Sequence, residues 1–106
     1  MNVVEQRQEQ VTNRTACWVW CPGCDDLHAW WIADGREPVI GPVWEFDGNL
    51  EQPTVSPSLH VSYGAAGSVC HSFIRSGRWE FLPDSTHPLA GQTIPMIAVT
   101  DWPFIP

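Results

Sequence analysis

At 106 residues the chain fits one domain, and 43% hydrophobic against 16% charged residues supply a small core. A domain of this size buries a modest share of its surface, so an additional staple adds useful stability. Twelve acids against five arginines, with no lysine, leave a net charge of −7; this excludes the basic stripe that nucleic acid needs and suits a basic partner surface.

Residues 1–15 are polar and read as a flexible arm or a short edge strand, ahead of a single β-rich domain over 16–106. Ala16 to Cys21 reads as a strand, with Trp18 and Trp20 on one face and Cys17, Val19 and Cys21 on the other. Pro22-Gly23 makes a tight turn, and His28 to Ala33 is the returning strand, closed by Asp34-Gly35. Gly41 to Phe46 is another short strand. In Gln52 to Ser58 two prolines exclude a helix and a central strand, so a stiff edge or loop is expected. Leu59 to Tyr63 resumes a strand before the turn at Gly64–Ser68. Val69 to Arg75 and Arg78 to Leu82 form the clearest hairpin, joined by Ser76-Gly77, with Ile74 facing Trp79, Ser72 facing Phe81 and His71 facing Leu82. A loop follows from Pro83, then an apolar run over Ile94 to Val99 and a Pro-rich tail. The fold class is mainly β: short antiparallel strands and hairpins around a zinc-knuckle clip.

Seven tryptophans are too many to stand exposed singly in so small a chain, so most pack into the core. Trp30 and Trp31 are neighbours in a strand and point to opposite faces, which leaves one for an interaction surface. No apolar run approaches the roughly eighteen residues of a membrane helix, and the polar start lacks a signal-peptide core. A reducing cytoplasm is the expected compartment, where closely spaced cysteines favour metal over disulfide.

Cys21-Pro22-Gly23-Cys24 has the shape of a zinc knuckle, whose turn points two thiolates at one ion. A thioredoxin-like role needs a helix after the motif, whereas Asp25-Asp26-Leu27-His28 leads into a strand. The other two ligands are open among His28, Cys70, His71, His87 and Cys17. Alternation places Cys70 and His71 on opposite faces of one strand, so one face completes a metal site through Cys70 while the other holds a polar site around His71.

Four motifs in fixed order resemble the small BubE-like family: Cys21-Pro22-Gly23-Cys24 with His28; Phe46-Asp47-Gly48-Asn49-Leu50-Glu51 running into Pro53, Thr54 and Ser56-Pro57-Ser58-Leu59; Cys70-His71-Ser72-Phe73-Ile74 with Gly77-Arg78; and Phe81-Leu82 with Asp84, Thr86-His87 and Leu89-Ala90-Gly91-Gln92-Thr93. Members are common in tailed phages and prophages, and related domains in bacterial ubiquitin-like operons are regarded as serine-type peptidases. The resemblance implies a hydrolytic site built from Ser58, His71, Asp84 and His87. It also implies structural Zn2+ roles for Cys21, Cys24, His28 and Cys70. Ser85 departs from the family, whose members often carry cysteine there; if that cysteine is a ligand, the site here is incomplete or completed by His28 or His87. A phage-encoded member would act in the host cytoplasm, on a host or ubiquitin-like protein and not on nucleic acid or a membrane.

A serine hydrolase needs a nucleophile, a base within about 3 Å and a group orienting the base. Ser58 follows Pro57 in a stiff segment, with Thr54, Ser56 and Ser72 as rival hydroxyls; His71 or His87 is the candidate base and Asp84 the orienter. A simple hairpin over Gly64–Ser68 sets Val61 opposite His71, which leaves Ser58 three residues away, roughly 10 Å at about 3.3 Å per residue, and pointing to the Cys70 face. On that register no direct dyad forms. Three readings follow: a zinc-stabilised serine-type hydrolase that cleaves peptide or ester bonds, with ubiquitin-like tails as a target; a non-catalytic module that engages a host protein through an acidic, Trp-rich surface; and a metal-dependent hydrolase with an ion at His71, His87 and Asp84.

Overall fold

The alternation in Thr15–Cys21 sorts the strand into two faces: Cys17, Val19 and Cys21 are buried while Trp18 and Trp20 are half-buried. This strand, β2, is the centre of a three-stranded antiparallel sheet with β1 (Glu5–Gln8) and β3 (Asp26–Ile32). The computed structural model describes residues 1–8, 14–32, 43–64 and 67–103. Pairing runs from Thr15 opposite Ile32 to Cys21 opposite Asp26, so the knuckle tips a β2–β3 hairpin as its sequence implies. Of the two alternatives for the N-terminal segment, Glu5–Gln8 takes the edge strand, and Val3 and Val4 just before it are buried in the core. The turn expected at Asp34-Gly35 lies outside the described residues.

A second antiparallel sheet holds β4 (Glu45–Phe46), β5 (Val55–Ser62), β6 (Val69–Arg75), β7 (Arg78–Phe81) and β8 (Thr93–Pro95), in that order. Within the strand expected from Gly41, only Glu45–Phe46 pairs with β5, and positions 41–42 lie outside the described residues. Ser76 and Gly77 both have positive φ, which closes the two-residue hairpin; Ile74 faces Trp79 and Ser72 faces Phe81, as the loop length dictates. The apolar run after Thr93 gives only a three-residue strand, and a 3-10 turn follows at Val99–Asp101.

The segment around Pro57 corrects the sequence-based expectation. It is not an edge or loop but part of β5, which lies between β4 and β6. Val55 pairs with Ile74 and Leu59 with Ser72, and the register shifts between those two pairs. A bulge of this kind accommodates a residue that cannot donate to the ladder.

Both sheets contribute to one core. Cys17, Val19, Cys21 and Trp30 from the first meet Val55, Leu59, Cys70, Ile74, Trp79 and Phe81 from the second. Trp79 is fully buried and stacks on Phe81 at 5.3 Å between centroids. The edges of the sheets also touch, where the Trp44 N–H donates to the Trp31 carbonyl at 2.8 Å. No helix among the described residues is long and apolar enough to cross a membrane.

Candidate functional site

β6 carries two clusters on its two faces. Its burial alternates, with Cys70, Ser72 and Ile74 inward and His71 and Phe73 outward. Cys70 therefore enters the space between the sheets, where Cys21 and His28 arrive from β2 and β3 and Cys24 from the turn. The ligand atoms of these four residues lie within 4.8 Å of one another, close enough to hold one metal ion. The Cys21 and Cys70 sulfurs are 3.9 Å apart, near the edge of about 3.8 Å of a tetrahedron with arms of about 2.3 Å. His28 Nδ1 is 3.0 Å from the Leu27 carbonyl, which sets the proton on Nδ1, and its buried Nε2 has no hydrogen-bond partner. An imidazole held from behind with a bare inner nitrogen is what a metal ligand requires. An ion held here would join the two sheets, because Cys70 alone comes from the second.

The thiols are electrostatically unequal. The hydrogen bond with Cys70 pulls Cys21 down to about 4, against the opposing effect of burial. The same bond raises Cys70, and burial raises it further. Cys24 is raised first by burial and then by the neighbouring charge of Cys21. Cys17 stands apart from this cluster: burial pushes it up to about 11, and it accepts a long contact from the Gln6 amide.

On the outer face, Ser58 Oγ lies 3.0 Å from His71 Nε2, and His71 Nδ1 lies 3.0 Å from Asp84 Oδ2 and 3.2 Å from Oδ1. A carboxylate only accepts, so Nδ1 carries the proton, Nε2 presents its lone pair, and the Ser58 hydroxyl donates to it. The expected distance of roughly 10 Å between Ser58 and His71 is overturned, and so is the expected facing. His60, not Val61, is the partner of His71. That one-residue shift turns Ser58 to the outer face and makes it the diagonal neighbour of His71, two residues from the directly opposite position. An imidazole spans a diagonal of this kind.

Asp84 is delivered by the turn after β7. The Ser85 N–H donates to the Leu82 carbonyl at 3.0 Å, closing a turn over Pro83 and Asp84. The His71 side chain is 25% exposed and Asp84 60% exposed, so the outer end of the chain is open to solvent.

His87 is not brought to these groups. It lies against the knuckle, where a Cβ on Gly23 would overlap its ring, and it meets Phe81 edge-on at 4.5 Å. Its Nδ1 accepts from the Leu89 N–H at 3.2 Å. The ion envisaged at His71, Asp84 and His87 would therefore need residues that sit at different places in the fold. Ser85 does not face the thiols either; its hydroxyl accepts from the His71 N–H and donates to the His71 carbonyl, both at 3.0 Å.

One residue that reading the sequence passed over is His60, exposed and directly across from His71, with ring centroids 5.2 Å apart. Its two-residue spacing from Ser58 is the signal that places both on one face of a strand.

No curated protein and no solved structure matches the chain. A family model described as bacterial ubiquitination-like system serine protease (BubE) matches residues 2–82. That span includes Ser58, His71 and all four Cys/His residues of the inner cluster and stops two residues short of Asp84. The match covers well over half of the chain, and the chain belongs to the BubE family of bacterial ubiquitination-like system serine proteases.

Proposed function

We propose that this protein is a serine-type hydrolase in which Ser58 is the nucleophile, His71 the general base and Asp84 the group that orients the base. The observation that carries this reading is the unbroken chain from Ser58 Oγ through His71 Nε2 and Nδ1 to Asp84, with links of 3.0 Å at each end. In such an arrangement the imidazole takes the hydroxyl proton as Oγ attacks the carbonyl carbon, and later returns it to the leaving group. Asp84 holds the tautomer and stabilises the imidazolium that forms. The serine-protease description of the family supports peptide or isopeptide bonds as the target, with the tail of a ubiquitin-like protein as substrate. A net charge of −7 favours a basic face on that partner.

The inner cluster in this reading is structural Zn2+ held by Cys21, Cys24, His28 and Cys70. Three thiolates and one imidazole fill a tetrahedral shell and leave no open position for substrate. When bound, the ion would supply a cross-link between the sheets. None of the seven tryptophans is exposed, which favours the hydrolase over a docking module with a Trp-lined face.

The test is covalent. A fluorophosphonate probe is expected to add to Ser58, mapped by peptide mass, and Ser58→Ala is expected to abolish both labelling and turnover of a p-nitrophenyl ester. Labelling at another residue, or full esterase activity in Ser58→Ala, would overturn the assignment.

A further inference from the structure

We propose that Ser85 is a positioning residue for the His71–Asp84 pair, with its hydroxyl standing in for a backbone carbonyl that the chain has turned away. The β6–β7 ladder pairs Ser72 with Phe81, and the Leu82 N–H still donates to the His71 carbonyl at 2.8 Å. A regular ladder would return the His71 N–H to the Leu82 carbonyl. That carbonyl instead accepts the Ser85 N–H and closes the turn over Pro83-Asp84. The His71 N–H is left facing Ser85 Oγ, which accepts it at 3.0 Å and donates back to the His71 carbonyl at 3.0 Å.

Three consequences follow from this exchange. Ser85 is buried, so no water replaces its hydroxyl easily. It grips both backbone groups of the residue that carries the base. It is also the chain neighbour of Asp84, so one side chain sets the spacing between the two members of the pair. Thr86 repeats the device one step on: its Oγ1 accepts from the Val69 N–H at 2.9 Å and donates to the Val69 carbonyl at 3.2 Å, but it grips no group of His71. The segment from Asp84 to Thr86 thus acts as a strap along the edge of β6 that β7 leaves after Phe81.

The inference rests on the hydrolase reading for its kinetic arm alone. The first measurement is the tautomer of His71 from long-range nitrogen–proton correlation spectra. Wild type is expected to hold the Nδ1–H form. Ser85→Ala is expected to move it to a mixture of tautomers and to slow fluorophosphonate labelling of Ser58 by about 10- to 100-fold, the scale of a misplaced reacting group. Ser85→Cys, close in volume with a weaker hydrogen bond, is expected to fall between the two, and it carries the test if the alanine variant loses its dispersed amide spectrum. Thr86→Ala is expected to keep the wild-type tautomer. A wild-type tautomer in both Ser85 variants, or an equal shift in Thr86→Ala, overturns the proposal. If Ser58 in the wild type takes no label, the hydrolase reading fails while the tautomer still decides the role of Ser85.

Discussion

The inner Cys/His cluster and the outer Ser58–His71–Asp84 chain share one strand and differ in almost every physical respect. Cys70 and His71 are adjacent, yet one is buried between two sheets and the other opens to solvent. The inner cluster joins sheets through side chains alone, whereas the outer chain lies on one sheet and depends on its register. On the proposed function, the inner face of β6 carries stability and the outer face carries chemistry. A change on the outer face should cost activity with little loss of stability. A change on the inner face should cost stability first and activity second, because the register of β6 holds His71 in place.

The sharpest break of this comparison is Ser58→Ala, where turnover is expected to fall by roughly 10^4-fold or more while the melting curve stays within about 0.5 kcal/mol of wild type. Asp84→Asn is next: keeping the shape but losing the charge and the fixed tautomer, it should lower the rate by about 10^2- to 10^4-fold at an unchanged melting temperature. On the inner face, Cys70→Ala or a strong chelator is expected to lower the melting temperature by on the order of 10 °C, read by calorimetry alongside metal content. An unchanged melting curve in chelator would mean three reduced thiols and an imidazole without an ion. Gly23→Ala tests the seat of the knuckle against His87; the added methyl must displace the ring, and a loss of about 1–3 kcal/mol is expected on denaturant titration.

The smallest effect concerns Cys17, a buried thiol outside the cluster. Its pKa is raised from 9.0 to about 11 by burial, so the neutral thiol is the form the fold favours. Its contribution to stability is complete below about pH 9 and declines as pH rises toward about 11. The difference in stability between wild type and Cys17→Ala should narrow across that window. A difference that is constant from pH 8 to 11 would show that the thiol ionises freely.

Local chemistry made much of the fold readable. The strand over 16–21, the Pro-Gly turn and the Ser76-Gly77 hairpin follow from alternation and turn residues within a few positions of one another, and their pairing partners agree. Pro57 misled for a physical reason: its missing N–H argues against a central strand only where the ladder is regular, and here a register shift removes the conflict. The candidate site turns on a second register, that of the β5–β6 ladder from Leu59 onward. Moving the partner of His71 from Val61 to His60 changes which face Ser58 occupies, and the sequence between Ser62 and Val69 does not announce that register.

What the sequence determined by itself was therefore short in range: the Cys21–Cys24 clip, the alternating faces of β6 and the identities of the groups able to do chemistry. The resemblance to a family added which of them to watch. Only the tertiary structure decided that His28 and Cys70 meet the clip, that Ser58 reaches His71, that His87 sits instead on Gly23, and that the Ser85 hydroxyl bonds the backbone of His71. The reason is that strand facing reverses with each residue of register, and register is settled by the burial of whole faces rather than by any one residue.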